Sequence, residues 1–139
     1  MLILEILTIG LPFCAFKVLS GLYWAQYWLV ALGVVDLIIN VSNLMSLILF
    51  KKKIMDACLL SFLTRKLMGN SESLKSRWQD LGNSIDVFIS FAIVSIMIGG
   101  DFLKELSALH MNLWNISVIL NVFGAGYSRV LNSVRNVKN

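Results

Sequence analysis

The sequence predicts an all-α integral membrane protein with four transmembrane helices and a cytoplasmic amphipathic helix. Of its 139 residues, 58% are hydrophobic and only 14% are charged, and the mean hydropathy is +0.78. A soluble domain carries about a quarter charged residues and needs them to cover its surface. The basic residues stand in short stretches beside apolar segments, which is typical of membrane proteins and not of nucleic-acid-binding ones. We therefore expect a single membrane domain over 1–139 that contacts the lipid bilayer.

The first predicted span covers about residues 2–19. Its length is just sufficient to cross the hydrocarbon core at about 1.5 Å per residue. Glu5, Pro12 and Lys17 interrupt the apolar run, so the assignment rests on length alone. A re-entrant or interfacial segment is the alternative for this part of the chain.

The second predicted span, at about 22–50, is bounded by residue types that prefer the two membrane interfaces. It begins with aromatic side chains, which favour the headgroup region, and it ends at three lysines. The predicted interfacial anchors are Tyr23, Trp24, Tyr27, Trp28, Lys51, Lys52 and Lys53. A helix of this length reaches about 43 Å, which is longer than the hydrocarbon core, so we expect it to tilt or to project at one end.

Residues 51–84 form the predicted cytoplasmic connection between the second and third spans. Within it, the apolar residues of 54–68 recur in pairs at helical spacing, which predicts an amphipathic helix on the membrane surface. Glycine and asparagine commonly end helices. We therefore expect helix ends at the Gly-Asn pairs 69–70 and 82–83.

The third span is predicted at about 85–102 and the fourth at about 112–131. Asp86 then stands in the first turn of the third helix, where a carboxylate interacts favourably with the helix dipole. Trp114 is expected at the outer rim of the fourth span, in the headgroup region.

The distribution of positive charge predicts the orientation of the chain. The connection 51–84 carries seven basic residues and three acidic ones, and the tail after the fourth span carries Arg129, Arg135 and Lys138. Because basic loops stay in the cytoplasm, we expect this connection and the C-terminus there. With four spans the N-terminus lies there as well, and a bacterial inner membrane is the expected location.

A polar stripe runs along the second span. Asp36, Asn40 and Asn43 follow the spacing i, i+4, i+7 and so share one helical face. A charge near mid-membrane costs at least ~2.5–3.5 kcal/mol. Three interpretations stand open for Asp36: a hydrogen bond to another helix, a pairing with a charge on a partner subunit, or a lining position in a path for ions, protons or solutes. Lys17 is the only basic residue in an adjoining span, and it can pair with Asp36 if the first helix lies deep in the membrane.

The fourth span carries a comparable face of small and polar residues. Small residues let membrane helices approach closely, and asparagines hydrogen-bond across the contact. The residues of this face are Asn121, Gly124, Ala125 and Ser128. The third span offers a matching strip of Ala92, Ser95 and Gly99. We expect spans two, three and four to pack along these faces.

The sequence contains no pattern that indicates catalysis, a cofactor or a metal site. Cys14 and Cys58 stand far apart and are interpreted as buried free thiols. His110 is the only histidine and cannot build a metal site alone. We therefore expect a non-enzymatic protein that holds neither a metal nor a cofactor.

The function expected from these patterns is that of a small non-catalytic subunit that packs into and stabilises a larger membrane assembly. Its partners would be other membrane subunits or copies of itself, and not nucleic acid. The lack of an evident partner for Asp36 supports this hypothesis. One alternative is a small homo-oligomeric channel or transporter whose path follows the Asp36 stripe. Another is a membrane-resident immunity, lysis or assembly factor.

Overall fold

The computed structural model describes residues 2–52, 54–56, 58–68 and 72–137, and it describes side chains within 3–52, 54–56, 58–67 and 74–127. All regular elements of this part are helical. Helix α1 comprises Leu2–Glu5, a π-helical turn Ile6–Gly10 and Leu11–Tyr23 in unbroken succession; α2 is Tyr27–Phe50, α3 is Leu59–Met68, α4 is Glu72–Gly99, a 3₁₀ turn covers Phe102–Glu105, and α5 is Ala108–Val137.

Three of these helices are long and apolar enough to cross a membrane: Ile3–Tyr23, Tyr27–Phe50 and Leu74–Gly99. The prediction of a helical membrane protein is thereby confirmed at the level of three candidate spans. The first segment remains helical through Pro12 because a neighbour replaces the missing donor. Proline has no N–H for the carbonyl four residues earlier, and Asn121 Nδ2 donates to that carbonyl, Thr8 O, at 3.4 Å.

Helix α1 is the centre of the bundle. Helices α2, α4 and α5 each pack against it and make few contacts with one another within the described residues. Half of the α1 span is buried, against 28% of the spans in α2 and α4. The expectation that spans two, three and four pack face to face is therefore wrong, and the segment assigned on length alone organises the other three.

The apolar core lies where α4 and α5 meet α1. The rings of Phe16 of α1 and Trp114 of α5 pack at a tilt of 51°, with centroids 4.7 Å apart. Ile93 and Met97 of α4 complete the contact. Trp114 is only 1% exposed, so its predicted position at the outer rim is wrong. The helix begins at Ala108, and Trp114 lies nearly two turns inside it.

Helix α4 passes through the predicted break at 82–83 without interruption. Helix α3 crosses α4 at Gly82, where a Cβ would lie only 2.5 Å from Ser61 Cα. Next to it, Thr64 Oγ1 donates to Trp78 O at 2.7 Å. The glycine thus permits close packing of α3 on α4 and does not end a helix. The other predicted break, at 69–70, lies outside the described residues.

The small strip predicted on the third span is not its buried face. Ser95 and Gly99 are exposed, and a Cβ at Gly99 would meet nothing within 4 Å. The buried positions of α4 are Gly82, Asp86, Ser90, Ile93 and Met97. Asp86 is accordingly a buried residue in the middle of α4, and its predicted role in the first turn of a helix is wrong.

The connection after α2 folds back along that helix. The Asn43 side chain accepts from Met55 N at 2.9 Å and donates to Asp56 O at 3.2 Å. Further back, Leu59 N donates to Asp36 Oδ1 at 2.7 Å. Asp36 precedes Phe50 by fourteen residues, which is about 21 Å of helix. The chain therefore returns over that distance, and α3 begins beside the middle of α2, five residues later than predicted.

At the opposite end of the bundle, aromatic residues join the α1–α2 turn to the 3₁₀ turn. Tyr23 and Trp24 pack on Phe102, with ring centroids 5.7 and 6.4 Å away. Tyr27 and Trp28 remain 80% and 63% exposed, as membrane-interface anchors would be. Lys51 and Lys52 are exposed at the far end of α2, whereas Lys53 lies outside the described residues. The anchoring roles stay predictions.

Candidate functional site

Three charged side chains from three helices meet inside the bundle. Lys17 of α1 donates from Nζ to Asp36 Oδ2 of α2 at 2.6 Å and also to Asp86 Oδ1 of α4. The lysine side chain is 0% exposed, and the two aspartates are 1% and 10% exposed. We call Lys17, Asp36 and Asp86 the charged triad.

The α1–α2 half of the triad depends on a close helix approach. A Cβ at Gly33 would lie 2.8 Å from Val18 Cγ2 and 3.0 Å from Lys17 Cβ. Only glycine leaves room for α1 at that position. Asp36 follows one turn later on the same face of α2, where it meets the lysine.

Asp36 has all its hydrogen-bonding needs met within the chain. Its Oδ2 accepts from Lys17, and its Oδ1 accepts from the Leu59 backbone. Asn40 adds a bond from Nδ2 to Asp36 O at 2.9 Å and a weaker one to Cys14 Sγ at 3.6 Å. The structure shows that Asp36 has a partner within the chain, Lys17. A missing partner therefore no longer argues for another subunit.

Asp86 is the residue that the sequence interpretation missed. Its Oδ2 has no hydrogen-bond partner among the described residues, although its Oδ1 contacts Lys17. The available signal was the four-residue spacing of Gly82, Asp86 and Ser90, which places them on one face of a continuous helix. A helix end predicted at 82–83 separates Gly82 from Asp86 and Ser90, so the shared face is not recognised from the sequence.

The ionised triad carries a net charge of −1, because one lysine faces two carboxylates. Removing an ion from water costs several kcal/mol even in real proteins, and attraction between neighbours offsets this only with good geometry and full hydrogen bonding. Asp36 satisfies those conditions. Asp86, with one free oxygen, does not.

A cavity of ≈230 Å³ reaches the triad between α1, α2 and α4. Its polar lining includes Glu5, Lys17, Asp36, Asn40, Asn43, Asn83 and Asp86. Glu5 and Lys17 are twelve residues apart on α1, so the cavity extends along about 18 Å of that helix. The π-helical turn Ile6–Gly10 forms part of the wall, and such turns are frequent at functional sites.

The cavity occupies one side of the triad only. It lies toward the Leu2 end of α1, which is also the end at which α2 finishes, at Phe50. Toward Tyr23 the neighbouring buried residues are mainly apolar, among them Leu19 and Leu29. Ser20 is the exception there, because its Oγ is buried without a hydrogen-bond partner in the described part of the chain.

Two thiols stand beside the cavity. Cys14 and Cys58 are both free and buried, and both contribute to the lining. The Cys58 thiol accepts a hydrogen bond from Ser61 N at 3.5 Å and donates one to Asn83 Oδ1 at 3.7 Å. Burial raises the pKa of the Cys58 thiol, so it stays protonated at neutral pH. The described residues contain no group of three or more side chains that could hold a metal ion.

The predicted face of the fourth span is only partly the buried one. Asn121 and Gly124 contact α1 at Thr8, where a Cβ on Gly124 would lie 2.1 Å from Thr8 Oγ1. Ala125 is exposed. Ser128 belongs to α5, and its side chain is outside the described residues.

The chain matches none of the protein-family models, curated proteins or solved structures with which it was compared.

Proposed function

We propose that this chain is a small membrane transport protein that admits a polar or charged solute into its cavity as far as the charged triad. The observation that carries the proposal is the ≈230 Å³ cavity that reaches three buried charges. Ionisable side chains inside membranes are costly and typically mark ion, proton or substrate paths. No covalent chemistry is proposed, and the chain acts as a non-enzymatic carrier or channel.

The proposed topology has four spans, with α5 as the fourth and both termini in the cytoplasm. The excess of basic residues in 51–84 supports this orientation. The cavity lies toward the Leu2 end of α1, so it would open to the cytoplasm. A bacterial inner membrane is the proposed location.

The proposed path runs through a single chain. Asp36, Asn40 and Asn43 are 1%, 5% and 1% exposed, and they point toward α1 and the returning connection. A pore between copies would need this stripe on the outer surface. The buried stripe therefore favours transport within one protomer over a channel shared between protomers.

A second candidate function, that of a structural subunit, is supported by a different residue. Asn115 is exposed and lies about 100° around α5 from its buried neighbour Trp114. An amide facing lipid lacks hydrogen-bond partners, and asparagines commonly bond across contacts between membrane helices. Another membrane subunit, or a second copy, packed on this face of α5 would supply the partner.

Flux through reconstituted vesicles tests the transport proposal. Purified protein is placed in liposomes, and proton, sodium and potassium movement is followed with trapped indicator dyes. We expect the wild type to exceed protein-free vesicles and Asp36→Asn to abolish the excess, with Asp80→Asn, an exposed aspartate of α4, as the matched control.

Wild-type flux equal to that of empty vesicles for all three ions would contradict transport of these cations. Purification in mild detergent with mass spectrometry of bound proteins then addresses the second candidate. A subunit should bring specific membrane proteins with it, and Asn115→Leu should release them.

A further inference from the structure

Asp86 is the point at which the triad is incomplete. The whole residue is 7% exposed and its side chain 10% exposed. Its Oδ1 pairs with Lys17, and no described residue bonds its Oδ2. It also lines the cavity. A carboxylate oxygen that borders a cavity, beside a second buried aspartate, is a position at which a cation from the cavity can bind.

We infer that the triad takes up one monovalent cation, a proton or an alkali-metal ion, from the cavity onto the free oxygen of Asp86. This inference names the substrate class of the site and so rests on the proposed function. The charge count supports it: one lysine cannot balance two buried aspartates, and a single positive charge makes the group neutral.

The other groups that face Asp86 do not supply that charge. From α1 come Lys17, already shared, and the neutral thiol of Cys14; from α2 comes Asp36, which increases the deficit. The connection contributes the protonated Cys58. Across the cavity, Glu5 is exposed and adds a further negative charge that attracts cations to the entrance.

The charge deficit of the triad itself, one unit, matches a monovalent cation and not a divalent one. A divalent cation would reverse the sign of the buried charge. Divalent ions also need several anionic oxygen ligands, and the described residues offer no group of three acidic, thiol or imidazole side chains. A proton needs only the carboxylate, and an alkali ion would complete its coordination with water.

Occupancy also changes how α1 is held to α4. Lys17 bridges Asp36 and Asp86 in the empty site. A cation on Asp86 neutralises that carboxylate and weakens its attraction to Lys17, while the Lys17–Asp36 pair is unchanged. Uptake therefore loosens the α1–α4 contact and leaves the α1–α2 contact intact, which is the kind of selective release that moves a bound ion onward.

Infrared absorption of the purified full-length chain distinguishes the two cations. If the occupant is a proton, the wild type at neutral pH shows the absorption of a protonated buried carboxyl group. Asp86→Asn should lose this band, and Asp80→Asn should keep it.

If the occupant is an alkali ion, the protonated-carboxyl band is absent and the ion stabilises the protein. Sodium or potassium chloride should then raise the Tm of the wild type by several degrees above choline chloride at equal concentration. Asp86→Asn should remove this difference. Neither a protonated carboxyl band nor an alkali-specific Tm shift in the wild type would overturn the inference.

Asp86→Glu provides a second variant in case Asp86→Asn does not fold. It retains a carboxylate, so the band or the alkali-specific shift should persist at an altered pH or ion midpoint. Its complete loss in folded Asp86→Glu, with the effect still present in the wild type, would assign the occupant to another residue and reject Asp86.

These measurements need no vesicles and therefore separate the inference from the proposed function. Cation uptake without flux leaves the site intact and rejects transport. Flux without cation uptake at Asp86 rejects the inference alone.

Discussion

Two ion-paired clusters hold distant parts of this chain together, and they differ in their access to water. The charged triad joins α1, α2 and α4 with side chains 0–10% exposed. The second cluster joins Asp56 of the connection to Arg65 of α3 at 3.1 Å. The Asp56 side chain is 7% exposed, but that of Arg65 is 42% exposed and reaches solvent. Gln79 of α4 also donates to Asp56 Oδ1, at 3.1 Å.

The difference shows why the triad is the functional candidate. Arg65 contacts Asp56 Oδ2 without hydrogen-bond alignment, since that oxygen has no hydrogen-bond partner in the described structure. Only the Arg65 side of this pair is hydrated, so the pair is partly screened by solvent and contributes less than a fully buried pair. At the triad all three side chains are 0–10% exposed, so solvent screens them much less and each change of charge there has a large effect.

The largest effect is expected for Lys17→Met. This substitution leaves two carboxylates buried without their cation, and breaking a buried pair costs about 3–5 kcal/mol. Unfolding in mild detergent, followed by circular dichroism, measures the loss. The triple variant Lys17→Met, Asp36→Asn, Asp86→Asn removes all three charges and should recover most of it. A triple variant no more stable than Lys17→Met would show that charge imbalance is not the cause.

An intermediate effect is expected for Gly33→Ala. The added methyl group would meet Val18 and Lys17 at 2.8–3.0 Å, and such overpacking costs about 1–3 kcal/mol. Gly126→Ala is the matched control, because a Cβ there meets nothing within 4 Å. That variant should gain up to about 1 kcal/mol from helix propensity. Equal stability of the two variants would argue against the tight α1–α2 contact beside the triad.

The smallest effect is expected for Arg65→Ala. Because the Arg65 side chain is 42% exposed and Asp56 keeps its bond from Gln79, we expect a loss of about 1 kcal/mol that shrinks further at high salt. The same unfolding assay, run at two salt concentrations, measures it. A loss as large as that of Lys17→Met would remove the contrast between the two clusters.

Hydropathy determines how much of this structure can be predicted from the sequence. Apolar runs located the three candidate spans, and the spacing of Asp36, Asn40 and Asn43 identified a face that is indeed buried. Hydropathy does not distinguish a core residue from a lipid-facing one. Met97 is fully buried, and its neighbour Ile98 is 56% exposed. The central place of α1 could not be predicted for this reason.

The triad itself was only half predictable. Lys17 and Asp36 were recognisable because each interrupts an apolar run, and a pairing between them requires only that α1 sit deep in the bundle. Asp86 was assigned to a helix end because Gly82 resembles a terminator. Glycine ends a helix or admits a neighbour depending on tertiary packing, and α3 provides that neighbour here. The return of the connection beside Asp36 depends on the same long-range contacts.

The most direct test of the central claim is the accessibility of the cavity that reaches the triad. In a background of Cys14→Ala and Cys58→Ala, single cysteines are introduced at Val87, which lines the cavity, and at Phe88, which is 75% exposed on the outer surface. Inside-out membrane vesicles are treated with a charged thiol reagent that does not cross lipid. The account predicts rapid labelling of Val87→Cys and little labelling of Phe88→Cys. An unreactive Val87→Cys, or equal rates at the two positions, would contradict a water-filled route to the charged triad.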